Sequence, residues 1–146
     1  MMRCVIIYWS RYGHGKRLVN YLSRNLKEND VKTKIFNPSE LEPDNIPQAD
    51  LYIFSTPTEA FRIKRDMRKF MKKIEGLEDK PYGIINTHSM KRDWLNSMEK
   101  ILKKKKMKKL TEVDFKIGKE GVEDGKALPS NWKNDLDRFA KELIIT

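Results

Sequence analysis

The sequence predicts a doubly wound α/β fold with a parallel sheet of five strands. Two observations carry this reading. Apolar runs rich in β-branched residues occur at Arg3–Trp9, Leu51–Phe54 and Tyr82–Ile85 without the alternation of a half-exposed strand, as strands covered on both faces require. Segments with apolar residues at helical spacing separate and follow them, and strands that alternate with helices build parallel sheets through right-handed crossovers.

Arg3–Trp9 is the first strand, and Leu18, Leu22 and Leu26 mark the helix after it. Lys32–Phe36 is a second, weaker strand. The next crossover, Asn37–Ala49, carries Pro38, Pro43 and Pro47, so it can hold little more than one helical turn. Leu51–Phe54 follows as the third strand, and Ile63, Met67, Phe70, Met71 and Ile74 set the second helix. Its methionine and phenylalanine stripe reads as core, not as a cofactor box. Tyr82–Ile85 is the fourth strand, after which Trp94, Leu95, Met98, Ile101 and Leu102 mark the third helix. Val113–Ile117 is the fifth strand, and Gly118–Pro129 is a surface loop punctuated by glycines. Trp132, Leu136, Phe139 and Leu143 space the last helix, with Ser130 as its expected cap. No repeat or linker interrupts this order, so residues 1–146 read as a single domain.

Composition bounds the function. The chain has 31 Lys and Arg against 21 Asp and Glu, a net charge of +10, which favours acidic partners. Its longest apolar run, Val5–Trp9, falls far short of the roughly 18 residues of a membrane span and lacks the pattern of a signal peptide. The expectation is a soluble, cytoplasmic protein that does not engage a membrane. The one cysteine, Cys4, lies within the first strand and reads as a buried hydrophobe, which leaves no disulfide within the chain. The run "KKKKMKK", Lys103–Lys109, is placed at a helix C-terminus, where cations complement the dipole. Basic residues interleaved with aromatics are missing, which argues against nucleic acid.

Open parallel sheets bind ligands beyond the carboxyl ends of their strands, at the point where strand order reverses. The turns after Trp9, Phe54 and Ile85 are therefore the candidates. A nucleoside-triphosphate loop fails because Ser10 stands at its first glycine and Arg17 follows Lys16 in place of a hydroxyl for magnesium. A dinucleotide fingerprint starting at Gly13 and Gly15 fails because Leu18 stands at its third glycine and Phe36 and Asn37 end the second strand without the ribose-binding acid. A phosphorelay receiver needs acidic residues to hold magnesium where Trp9, Ser10, Ser55 and Thr56 stand. No metal site is expected. The reading that survives is an anion held by backbone N–H groups at a helix N-terminus, with Gly13 and Gly15 permitting close approach. Ser10 and Tyr12 add hydroxyl donors, while Lys16 and Arg17 oppose the helix dipole unless something negative is bound there.

The stretch "YWSRYGHGKRL" resembles the phosphate loop of the flavodoxin superfamily, and its S-x-Y-G-H core is most similar to the tryptophan-repressor-binding-protein type of NAD(P)H:quinone oxidoreductase. "ADLYIFSTPTEAF" resembles the third strand and flavin loop of the superfamily, A-D-x-x-x-x-G-[ST]-P-T, and "KPYGIINTHS" its fourth strand. The resemblance spans Arg3 to about Ser89 and implies a flavodoxin-like five-stranded sheet of order 2-1-3-4-5 with FMN as cofactor. It places Ser10, Arg11, Tyr12, Gly13, His14 and Gly15 around the FMN phosphate. Thr56, Pro57, Thr58, Glu59, Ala60 and Phe61 would line one side of the isoalloxazine, and Thr87, His88 and Ser89 the other. Phe61 is the expected stacking residue, with Trp94 and Tyr12 as alternatives, and His14 is either a phosphate donor or an exposed turn histidine.

The chain departs from the pattern at Gly15, which replaces a hydroxyl residue of ordinary flavodoxins, and at Ser55, which replaces a glycine. Glu59-Ala60-Phe61 and "THSMKRDW" also differ from the corresponding segments of the quinone reductases. The resemblance implies an FMN-binding electron-transfer protein with no catalytic side chain of its own. Family flavodoxins are typically acidic, whereas Arg11, Lys16, Arg17, Arg62, Lys64, Arg65, Lys91 and Arg92 outnumber Glu59, Asp66 and Asp93 near the cofactor loops, so an acidic redox partner is expected. An NAD(P)H-dependent quinone reductase and a basic binding module that has lost FMN are the alternatives.

Overall fold

The computed structural model describes residues 2–9, 14–59, 62–63, 65–88, 95–116 and 128–145. The elements run β1 (Arg3–Tyr8), α1 (His14–Glu28), β2 (Lys32–Phe36), a 3₁₀ turn (Pro38–Glu40), β3 (Leu51–Glu59), β4 (Arg62–Ile63), α2 (Arg65–Lys72), β5 (Pro81–His88), α3 (Leu95–Lys104), β6 (Lys108–Lys116) and α4 (Trp132–Ile145). Five strands pair in parallel in the order β2-β1-β3-β5-β6, and β4 is a two-residue antiparallel addition to the end of β3. Counting the parallel strands alone, the order is 2-1-3-4-5, the doubly wound arrangement that the sequence predicts.

The apolar runs are buried on both faces because successive side chains alternate between two cores. On one side Ile6, Ile53, Ile85, Val113 and Phe115 pack under α1 and α4 through Leu18, Leu22, Leu136 and Phe139. On the other, Ile7, Tyr52, Phe54 and Ile84 pack under α2 and α3 through Met67, Met71, Met98 and Leu102. The Met67, Phe70 and Met71 stripe is core, as its spacing predicts. Gly83 lets α4 sit directly on β5, since a Cβ there would lie 2.9 Å from both Leu143 Cδ2 and Phe139 Cζ.

The second crossover collapses to the single turn that its prolines predict. Asn37 caps it by accepting from the Ser39 N–H at 3.0 Å, and Glu40 returns to accept from the Asn37 N–H at 2.8 Å, a capping box built around Pro38. Both sheet edges, β2 and β6, expose charged side chains such as Lys32, Lys34 and Lys108, which blunts pairing with other chains.

Several boundaries differ from the sequence reading. The lysine run does not all belong to a helix: α3 ends at Lys104, and Lys108 and Lys109 already lie in β6. Lys109 there bridges Glu99 of α3 and Glu112 of β6, a tertiary bond that local periodicity cannot announce. The last helix starts at Trp132, and the Asp135 N–H donates to the Asn131 carbonyl at 3.1 Å, so Asn131, not Ser130, occupies the cap position. The third and fourth parallel strands also run on to Glu59 and His88, carrying polar residues into the sheet that apolar runs do not reveal. Ile117 and most of the Gly118–Pro129 loop lie outside the described residues.

Candidate functional site

Chain order reverses across β1: the chain leaves it for β2 on one side and returns to β3 on the other. The carboxyl ends of β1, β3 and β5 are therefore the expected ligand crevice. They are held level. Tyr8 pairs with Ser55, the Trp9 N–H donates to the Ser55 carbonyl at 3.0 Å, and Thr56 and Pro57 pair with Asn86 and Thr87.

Seven polar residues are buried among the described residues, and five of them, Ser55, Thr56, Asn86, Thr87 and His88, cluster at the ends of β3 and β5. A buried polar group is costly unless it is hydrogen-bonded, and no buried side-chain polar atom of these five lacks a partner; together they give this edge of the sheet its polar character. Gly15 is buried in the first turn of α1. That turn holds no acidic residue, and Lys16 and Arg17 are exposed on it. The helix N-terminus and these cations together favour an anion.

Of the residues singled out from the sequence, the structure brings Gly15, Thr56, Thr87 and His88 to this edge, with the backbone of His14 opening α1 and that of Pro57, Thr58 and Glu59 closing β3. Ser10, Arg11, Tyr12, Gly13, Ala60, Phe61 and Ser89 lie outside the described residues, as does Trp94. Two residues that sequence reasoning missed join His88. Asp114 of β6 lies 2.8 Å from His88 Nδ1 through its Oδ1, and the same oxygen accepts from Asn86 Nδ2 at 3.0 Å. The signal is a cross-strand register, Asn86 opposite Asp114 and His88 opposite Lys116, which no local motif carries.

A cleft of about 550 Å³ lies elsewhere, between the second half of α1 and α4. Its polar groups serve each other: Tyr21 Oη and Asn25 Nδ2 both donate to Asp137 Oδ1 at 2.9 Å. This is interhelical packing and not the crevice that the topology predicts. No group of acidic, histidine and cysteine side chains suited to a metal occurs among the described residues, and none of their helices is long and apolar enough to cross a membrane.

A doubly wound sheet of this strand order, with buried polar residues gathered beside its switch point, defines a flavodoxin-like α/β protein. A family model of the flavodoxin domain matches residues 5–120, and the chain belongs to that family. Among solved structures it is similar to a flavodoxin of Streptococcus pneumoniae TIGR4, with a TM-score of 0.80 at 16% identity over 98% of both chains. It is similar as well to the two-electron reduced flavodoxin of Megasphaera elsdenii, with a TM-score of 0.75 at 14% identity over 94% of this chain and 98% of that one. The rubredoxin oxygen:oxidoreductase of Desulfovibrio gigas matches with a TM-score of 0.79 at 16% identity, over 97% of this chain but 35% of that one. At these identities the likeness shows the fold. No curated protein sequence matches.

Proposed function

We propose that this chain binds FMN non-covalently at the carboxyl ends of β1, β3 and β5 and passes electrons to or from a protein partner. The observation that carries the reading is the gathering of Ser55, Thr56, Asn86, Thr87 and His88 at that edge in a member of the flavodoxin family. The donor set suits the cofactor: hydroxyls, amides and an imidazole for a heterocycle, and a helix N-terminus without acidic residues for a phosphate. Bound FMN would supply the redox chemistry in its ring system. The chain's part is to seat the phosphate on the turn Ser10–Gly15 and to hold Thr56 and Thr87 on adjacent strands beside the ring. Family membership and the loop motifs favour this reading over a basic module without cofactor.

The test is an FMN titration of ligand-free protein, followed by flavin absorbance and fluorescence. Saturation near one FMN per chain is expected, with binding lost in Ser10→Glu or Gly13→Glu, which put a carboxylate against the phosphate. Absence of binding at tens of micromolar FMN, a range that reveals even affinities of about −6 kcal/mol, would overturn it. Steady-state NAD(P)H oxidation with a quinone on the FMN-loaded chain separates a carrier from a reductase.

A further inference from the structure

We propose that Asp114, steadied by Asn86, is a positioning residue that sets the tautomer and orientation of His88, so that His88 Nε2 is the nitrogen offered to the ligand. The inference rests on the FMN reading for the identity of that ligand, but its structural half does not. Asp114 Oδ1 lies 2.8 Å from His88 Nδ1 and accepts from Asn86 Nδ2 at 3.0 Å. A carboxylate only accepts hydrogen bonds, so Nδ1 must carry the proton, and a neutral ring protonated there presents Nε2 as an acceptor.

Burial makes the arrangement specific. The His88 side chain is 9% exposed and that of Asp114 32%, so the imidazole sits inside the edge of the sheet while its anchor comes from the strand outside it. Asn86 is fully buried and two residues before His88 on β5, which puts both on one face, beside the register partner of Asn86, Asp114. A carboxylate that takes two donors from one neighbouring strand is fixed in place, and it fixes the ring in turn. This gives the crevice a hydrogen-bond acceptor of defined direction. The N–H of the flavin pyrimidine ring is a donor of the class it fits. Lys116, opposite His88 on β6, is the other charged residue that the pairing sets beside the ring.

The experiment is ¹⁵N–¹H correlation of the imidazoles in the full chain, with His14→Gln used to assign the two histidines. Without FMN, neutral His88 is expected as the Nδ1–H tautomer. Asp114→Ala should release it to the mixture of an unconstrained imidazole, and Asp114→Asn, whose amide oxygen still accepts, should restore it. Asp114 is partly exposed, so neither variant empties the core. Adding FMN should move the Nε2 resonance of the parent chain, and Asp114→Ala should weaken FMN binding about tenfold, the scale of one misaligned supporting contact. An Nε2–H ring in the parent chain, or an unchanged spectrum in Asp114→Ala, overturns the positioning role whether or not FMN binds. A locked tautomer whose Nε2 is unmoved by saturating FMN overturns the ligand-facing role while leaving the FMN reading intact. A locked tautomer in a chain that takes up no FMN overturns the ligand-facing role together with the FMN reading.

Discussion

At the scale of single residues, burial decides chemistry more strongly than residue type. Cys4 is 1% exposed, and burial pushes its thiol from 9.0 up to about 12. Because the thiolate is the reactive form, Cys4 is expected to resist iodoacetamide at pH 8 in the folded chain and to react once the chain is unfolded in denaturant. Native-state labelling at a comparable rate would refute this. The same shift couples to stability. The unfolded thiol releases its proton above pH 9 while the folded one holds it, so the unfolded state binds fewer protons and stability falls as pH rises from 9 toward 12, by about 1.4 kcal/mol per unit at most. Urea melts across that range should show a shallower fall in Cys4→Ala than in the parent chain. Cys4 as a buried hydrophobe is legible in the sequence, since it sits in an unbroken apolar run. Asn86 and Asp114 are not, because their meaning comes from residues 28 apart in sequence meeting across a strand pair. Within the described residues the sequence singles out Thr56, Thr87 and His88, while the support behind His88 exists only in the register.

At the scale of elements, helix ends show where local reading runs out. Two helices stop without glycine. After α1, Val31 N–H donates to the Leu26 carbonyl at 2.9 Å and Asp30 N–H to Lys27 at 3.1 Å, while after α3 Met107 N–H donates to Leu102 at 3.2 Å and Lys106 N–H to Lys103 at 3.0 Å. Both are Schellman closures, with Asp30 at φ 63° and Lys106 at φ 60° in the left-handed position that glycine normally fills. Apolar contact takes the place of the glycine signal, since Leu26 and Val31 share one core and Leu102 and Met107 the other. That is why the lysine run, read in sequence as one helix C-terminus, divides in the structure between α3 and β6: nothing in "KKKKMKK" marks the turn except Met107 reaching back to the core. A lysine at positive φ carries strain of about 1–2 kcal/mol, partly offset by the larger chain entropy that glycine loses on folding. Lys106→Gly is therefore expected to raise stability by about 0.5–1 kcal/mol, read as a higher urea midpoint at unchanged slope. An unchanged or lower midpoint would show that the turn is not strained.

At the scale of the whole molecule, the charge is distributed over two poles that the topology makes inequivalent. Helices of this fold run antiparallel to the strands, so α1 and α2 start at the crevice and α3 ends at the opposite pole. Arg17 and Arg65 are exposed in the first turns of α1 and α2, while Lys103 and Lys104 are exposed in the last turn of α3. The net charge of +10 attracts an acidic protein to either pole. On the proposed electron-transfer role, a partner must nonetheless meet the crevice, and only charges within about a Debye length, roughly 10 Å at 0.1 M salt, act on a docked complex. Two double variants with the same change in net charge separate the contributions. Arg17→Glu with Arg65→Glu should weaken binding of an acidic ferredoxin to the FMN-loaded chain about tenfold at low salt, chiefly through slower association. Lys103→Glu with Lys104→Glu should change it by less than about threefold, the residue of long-range steering alone. Raising salt to about 0.5 M should bring all three chains together, because screening removes the term that distinguishes them. Equal weakening in the two variants would mean that net charge alone draws the partner, and a larger effect at the α3 end would place docking at the pole away from the crevice and sink the electron-transfer orientation.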